Sequence, residues 1–412
     1  MLLIFYNVAI YCLRLLFQFA SLFNAKAKAF VSGRKSIFLI LKKTLSDNQH
    51  DILWVHCASL GEFEQGRPVI EALKREFVNH KILLTFFSPS GYEIRKNYSG
   101  ADYVFYLPWD TKKNARRFVQ LVNPVLAIFI KYEFWYNFSA ELKKKNIPQL
   151  SVSSIFREDQ VFFRFYGGLF RRILKNFDYF FVQNATSVHL LRLIGIRNCI
   201  LAGDTRFDRV NEVVKKREEI LLAKAFKNNE KVLVAGSCWE EDLEVLIPFI
   251  NENKMKFIIA PHEIHEASIV DFEKSLQVKS VRYSKAVEST IADSQVLIID
   301  NIGMLSRLYQ YGEFAYIGGG FGKGLHNILE AACYGIPIFF GDKNFEKFQE
   351  ATDLINRGGA FQISSYTNLI TQFDMLSIPE NFLLACEVTK AYIAENLGAT
   401  EKVTSYCSKL LK

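Results

Sequence analysis

From Asp51 onward this chain alternates short apolar runs with stretches of helical periodicity, and that alternation constrains its fold more than any other feature. Strand-like runs stand at 52–56, 82–87, 103–107, 125–130, 149–152, 179–182 and 199–201. Between them lie helical patterns such as 67–77, with Pro68 near its first turn. A charged helical stretch at 208–227 reads as a linker, and a second series follows at 232–235, 257–260, 296–299, 314–317 and 336–340. Repeated βα units with apolar strands predict parallel sheets covered on both faces. A chain of 412 residues exceeds one ordinary core. The expected architecture is α/β, with two Rossmann-like domains facing a cleft and ligands at strand C-terminal ends. The expected boundaries are 1–46, 47–205 and 206–412, the last closed by helices at 381–395 and 400–411.

Residues 2–23 form a nearly continuous apolar run whose polar members, Asn7, Arg14, Gln18 and Ser21, share a narrow stripe at helical spacing. No acidic residue precedes Asp47, whereas Arg14, Lys26, Lys28, Arg34, Lys35, Lys42 and Lys43 do. These seven account for nearly all of the net charge of +8, so the basic excess marks this segment and not a nucleic-acid-binding face. A cleaved signal peptide carries its charge before the apolar run; here the charge follows it. The expectation is a membrane anchor, spanning or interfacial, with its basic flank held at the cytoplasmic side. The seven cysteines show no C-x-x-C pair, which fits reduced thiols better than a disulfide frame or zinc site.

The stretch from Gly318 to Gly341 is the most informative local motif. An apolar run breaks into Gly318-Gly-Gly-Phe-Gly-Lys-Gly324, a helical pattern opens near Leu325, and a second apolar run closes the unit. Glycines let backbone approach a ligand, and a helix N-terminus attracts anions. Asn327 and Glu330, three apart, are expected on one helix face. The stretch suits a phosphate plus a ribose; a ligand-free βα turn is the alternative. It is not a Walker loop, because Ile317 stands where the first glycine belongs, and it lacks the G-x-G-x-x-G register.

Other candidates also follow strands. Ser59-Leu-Gly-Glu62 places a carboxylate at a strand end, where it serves equally as a general base or as a helix-capping group. The turn at Ser88-Pro-Ser-Gly91 suits an anion or sugar, although a plain N-cap satisfies the same residues. Lys131-Tyr-Glu-Phe-Trp-Tyr136 sets a cation, a carboxylate and aromatics after another run. Arg206, in Gly203-Asp-Thr-Arg-Phe-Asp208, is either a phosphate-stabilising cation or an exposed linker residue. His262 and His265 fail the His-Glu-x-x-His pattern of zinc proteases, so no metal site is expected.

Taken in order, these pieces resemble the Kdo transferases, bacterial inner-membrane enzymes that move 3-deoxy-D-manno-oct-2-ulosonic acid (Kdo) from CMP-Kdo to a lipid A precursor. The resemblance runs through Ser59–Glu62, Ser88–Gly91, Tyr106-Leu-Pro-Trp-Asp110, Glu133-Phe-Trp135, Gly203–Asp208, Pro261-His262 and Gly318–Gly341. It implies a GT-B glycosyltransferase fold with an N-terminal membrane-anchor helix, an acceptor-binding first domain and a CMP-sugar-binding second domain. It also implies inverting transfer with release of CMP, without metal or cofactor, at the cytoplasmic side of the inner membrane. Glu62 would be the general base, with Lys131 and Arg206 as charged auxiliaries. CMP contacts would fall at Pro261, His262, Ile302, Gly303, Met304, Asn327, Ile328, Leu329 and Glu330. The implied partners are CMP-Kdo, the lipid A precursor and inner-membrane lipid, with no nucleic acid. Four departures stand out: Lys131 replaces a usual glutamate, Arg206 a usual lysine, Met304 a usual glutamate, and Leu325 a usual glycine. The alternatives are a GT-B transferase using a UDP-sugar and a membrane-tethered nucleotide-binding scaffold without catalysis.

Overall fold

The computed structural model describes residues 2–216 and 218–411. It divides into two compact units, one running to Arg209 and resuming at Leu397, the other comprising Val210–Asn396. The first unit opens with three helices, α1 (Leu2–Ala20), α2 (Ala25–Ser32) and α3 (Ile37–Thr44). Seven strands follow: β1 (Ile52–Cys57), β2 (Lys81–Phe86), β3 (Tyr103–Tyr106), β4 (Leu126–Ile130), β5 (Gln149–Ser154), β6 (Tyr179–Val182) and β7 (Cys199–Leu201). They form one sheet in the order β3-β2-β1-β4-β5-β6-β7, with every pairing parallel.

Strand β1 shows why such strands read as unbroken apolar runs. Successive side chains point to opposite faces, and both faces are covered. Ile52 and Trp54 enter one core with Phe118, Phe129 and Phe138, while Leu53, Val55 and Cys57 enter the other with Phe63 and Ile70. Each large apolar side chain fully buried in this way contributes roughly 1.5–3 kcal/mol.

The second unit repeats the plan with β8 (Val232–Cys238), β9 (Lys256–Pro261), β10 (Ser280–Arg282), β11 (Val296–Ile298), β12 (Phe314–Ile317), β13 (Ile338–Gly341) and β14 (Ala360–Ile363). Their order is β10-β11-β9-β8-β12-β13-β14, again parallel. Strands β10 and β14 are absent from the sequence expectation. Both are edge strands and only partly buried, so neither carries a continuous apolar run.

The last helix corrects an expected boundary. Residues 206–412 were expected to form one domain, yet the helix Ala399–Leu411 packs on the first unit. Val403 and Cys407 join the core of Leu53 and Val55, and Tyr406 lies 4.5 Å from Tyr179. Asp208 caps this helix from afar, accepting from the Gly398 and Thr400 amides at 2.8 and 2.6 Å.

Helix α1 is docked on the first unit. Tyr6 donates to Asp110 (2.6 Å), Asn7 accepts from Asn137 Nδ2 (3.0 Å), and Phe17 stacks on Phe30 (4.3 Å). Asp110 also accepts from the Asn137 and Phe138 amides at 3.0 and 2.9 Å. Tyr6→Phe should therefore lower stability by about 1.5–3 kcal/mol, the worth of a hydrogen bond to a charged group. Denaturant unfolding followed by tryptophan fluorescence reads this through nearby Trp109; an unchanged midpoint would deny the docking.

Candidate functional site

Strand order reverses direction at β1/β4 in the first sheet and at β8/β12 in the second, the positions where open α/β sheets leave a crevice. Polar side chains gather at both.

In the first unit, β1 ends at Cys57 and the helix α4 (Leu60–Glu76) begins at once. Ser59 caps it, its hydroxyl accepting from the Glu62 amide at 3.5 Å. Glu62 turns back, and its Oε2 accepts from the Ala58 amide at 2.5 Å. Burial, then the nearby Glu133 carboxylate, push the Glu62 carboxyl up to about 7; Ala58 and the Lys131 ammonium pull the other way. The helix-capping role is thus seen directly, since Glu62 sits in the first turn of α4 and accepts from the Ala58 amide.

Glu133 follows β4, and its Oε2 accepts from Trp135 Nε1 (2.7 Å) and His56 Nε2 (3.1 Å). Trp54 Nε1 donates to the Thr85 hydroxyl (2.8 Å), and His56 Nδ1 lies 2.8 Å from that hydroxyl and 3.1 Å from the Thr85 carbonyl oxygen, which fixes the ring with Nε2 facing Glu133. Lys131 adopts φ +67°, the left-handed region, immediately after β4. Strain of this kind costs about 1–3 kcal/mol and gathers at functional sites. Arg206 pairs with Asp204 through Nε at 2.8 Å and Nη2 at 2.7 Å. The neighbouring Thr205 hydroxyl donates to the Gln65 carbonyl on α4 at 2.5 Å, one turn beyond Glu62. Ser88 is an N-cap, accepting from the Ser90 amide at 3.3 Å.

In the second unit, Trp239 follows β8 and stacks on His262, which follows β9, at 3.9 Å and 22°. His326 lies 4.8 Å from His262 and accepts from Trp239 Nε1 at 3.3 Å. Burial, then His262, lower its pKa, which favours the neutral imidazole. The glycine loop after β12 is tied down by buried Asp242, which accepts from the Gly319 and Trp239 amides and the Tyr316 hydroxyl, each at 2.8 Å. A Cβ at Gly320 would meet the Gly341 amide nitrogen at 2.4 Å, and one at Gly318 the Ser237 carbonyl oxygen at 2.2 Å. These two glycines serve backbone-to-backbone packing within the protein. Gly322 and Gly324 have φ of +156° and +113° with open space around them, leaving that part of the loop bare for a ligand.

The structure revises the helix expected near Leu325. It spans only Leu329–Ala332, a single turn, so its dipole is small and Asn327 precedes it. The pair nonetheless meets, with Asn327 Nδ2 donating to Glu330 Oε1 at 3.1 Å. Ile328 and Leu329 are buried in the core, which leaves Asn327 and Glu330 as the polar side chains of this segment. Of the 302–304 turn, Ile302 is 88% exposed, Gly303 has φ +96°, and the Met304 side chain is buried. Among the described residues no group of three or more His, Cys, Asp or Glu is arranged to hold a metal. Reasoning from sequence missed His56, Trp239, Asp242 and His326 as site residues. Trp239 was within reach, since it occupies the first βα turn of the second series, as Glu62 does in the first.

The architecture is shared with solved structures. The UDP-GlcNAc 2-epimerase from Neisseria meningitidis bound to UDP-GlcNAc matches with TM-score 0.61 at 15% identity, over 87% of this chain and 100% of that one. MurG of Acinetobacter baumannii matches with TM-score 0.54 at 11% identity, over 87% and 99%. Two Rossmann-like units with these neighbours define the GT-B fold. Residues 33–209 match the family model of 3-deoxy-D-manno-octulosonic-acid transferase (kdotransferase). The 3-deoxy-D-manno-octulosonic acid transferase of Aquifex aeolicus is 30% identical over 336 residues, covering 79% of this chain and 86% of the relative. Its namesake from Rickettsia felis is 28% identical, over 81% and 73%. The chain belongs to the Kdo transferase family of glycosyltransferases.

Proposed function

We propose that this protein transfers Kdo from CMP-Kdo to a glucosamine hydroxyl of a lipid A precursor, inverting the anomeric centre and releasing CMP without a metal. The observation that carries the chemistry is Glu62, a carboxyl raised to about 7 at the end of β1, beside Glu133 and Lys131. As carboxylate it takes the proton of the acceptor hydroxyl while that oxygen attacks the anomeric carbon. The bond from that carbon to the phosphate oxygen breaks, and CMP departs with the electron pair. Lys131 moderates the Glu62 pKa, and the His56–Glu133–Trp135 network holds the second carboxylate in place. Arg206, aimed by Asp204, supplies positive charge for the developing phosphate. On the donor side, the Trp239–His262 stack, Asn327 and Glu330 offer a ring surface and polar contacts to a nucleoside. The Ile302–Met304 turn would contribute backbone and the exposed Ile302 side chain, because the Met304 side chain is buried. The exposed apolar face of α1 supports membrane association of an enzyme with a lipid acceptor, with its basic flank at the cytoplasmic side.

Product mass after incubation with CMP-Kdo, tetra-acyl lipid A precursor and EDTA tests the reading. A Kdo adduct is expected; a product formed only from a UDP-sugar, or only without EDTA, overturns it. Asn327→Ala and Glu330→Ala should each weaken CMP binding by about 1–3 kcal/mol, the cost of an unmade polar contact. Calorimetry showing wild-type affinity in both would remove this pair from the donor site.

A further inference from the structure

The docked face of α1 bears on a question its composition leaves open. Tyr6 binds Asp110, and Phe17, eleven residues on, packs against Phe30 and Trp109. Those anchor points lie about 16 Å apart along the axis at 1.5 Å per residue. A spanning helix would drag the Trp109-Asp110 turn and its backbone partners deep into hydrocarbon, where buried amides and carboxylates are costly. The opposite face is bare: Ile4, Leu15, Leu16 and Phe19 are each more than 60% exposed, and Leu22 and Phe23 continue it beyond the helix end. Leu39 on α3, also exposed, adds to the apolar surface of this N-terminal segment.

Within the same segment is a cavity of ≈ 320 Å³ lined by Arg14, Arg34, Ser36, Trp109, Asn114 and Arg117, among others, and by no carboxylate. Arg34 is held within the protein, donating to the Phe30, Phe87 and Leu107 carbonyls at 2.9, 2.5 and 2.8 Å. Arg14 and Arg117 make no ion pair among the described residues, and the Arg117 guanidinium carbon sits over the Phe38 ring, 4.5 Å from its centroid. Two guanidinium groups with a hydroxyl and an amide beside an apolar surface match a phosphate carried on acyl chains.

Resting on the membrane association proposed above, we propose that α1 lies flat in the membrane interface and that the Arg14–Arg117 cavity seats the phosphate of an anionic phospholipid headgroup. The test uses the full chain purified in detergent, with two equal-charge variants, R14Q/R117Q and K42Q/K43Q. Flotation is read on phosphatidylcholine vesicles with and without phosphatidylglycerol, and native mass spectrometry reads phosphatidylglycerol adducts. Wild type should float with both vesicles and better with phosphatidylglycerol. R14Q/R117Q should lose about tenfold or more in affinity for the anionic vesicles, keep its neutral-vesicle binding, and lose the lipid adduct. K42Q/K43Q should keep the adduct, and matching thermal melts exclude misfolding. If R14Q/R117Q retains the adduct, or both variants lose it alike, the cavity is not the site. If wild type floats with neither vesicle, the membrane reading itself fails.

Discussion

Glu62→Gln is expected to lower Kdo transfer by about 10²–10⁴-fold while leaving CMP affinity unchanged, because it removes the proposed base from one unit and leaves the proposed nucleoside contacts of the other intact. Wild-type kcat/KM should rise with pH and level off above about 7, where burial and Glu133 have placed the carboxyl. The same shift has a stability consequence of opposite sense to an ordinary salt-bridged carboxylate. The folded state holds this proton more tightly than the unfolded chain, whose value is near 4.5, so stability declines as pH rises from there through about 7. Gln cannot ionise, so the variant should melt above wild type at pH 8, with the difference closing toward pH 5. Turnover above about a tenth of wild type would remove Glu62 as base. An inactive variant without the pH-dependent melting difference would mean that the carboxyl is not raised by burial and Glu133 as described.

Asp242→Ala should have the largest structural effect. Its carboxylate is the joint acceptor for the Trp239 amide, the Gly319 amide and the Tyr316 hydroxyl. Each buried donor left without a partner costs about 1–3 kcal/mol, so the second unit should lose several kcal/mol. CMP binding should fall with it, because this side chain ties the Trp239 turn to the glycine loop. Scanning calorimetry of the full chain and CMP titration below the transition read the two effects. Asp242→Asn, which keeps an acceptor for part of the set, should fall between. Full stability with full CMP affinity in Asp242→Ala would refute the role.

The sequence alone determined the features whose cause is local. Central strands are buried on both faces, so β1, β4, β8 and β12 each appear as short apolar runs without reference to any neighbour. Turns at the ends of such runs mark where side chains can meet a ligand, which is how Glu62, Lys131 and the Gly318–Gly324 loop were legible. The N-terminal run was legible as an apolar helix with a basic flank. Edge strands β10 and β14, half exposed, left no such trace.

Only the tertiary structure decided what depends on partners distant in the chain. His56 meets Glu133 across 77 positions, and Trp239 meets His326 across 87, so neither pair is visible as a motif. The last helix belongs to the first unit because Asp208 caps it across 190 positions and the first core has room for Val403 and Cys407. The apolar count of α1 could not show that Tyr6 and Asn7 are spoken for by Asp110 and Asn137. In each case the deciding energy is a hydrogen bond or a buried contact between segments that the chain brings together only by folding, and local periodicity carries no record of it.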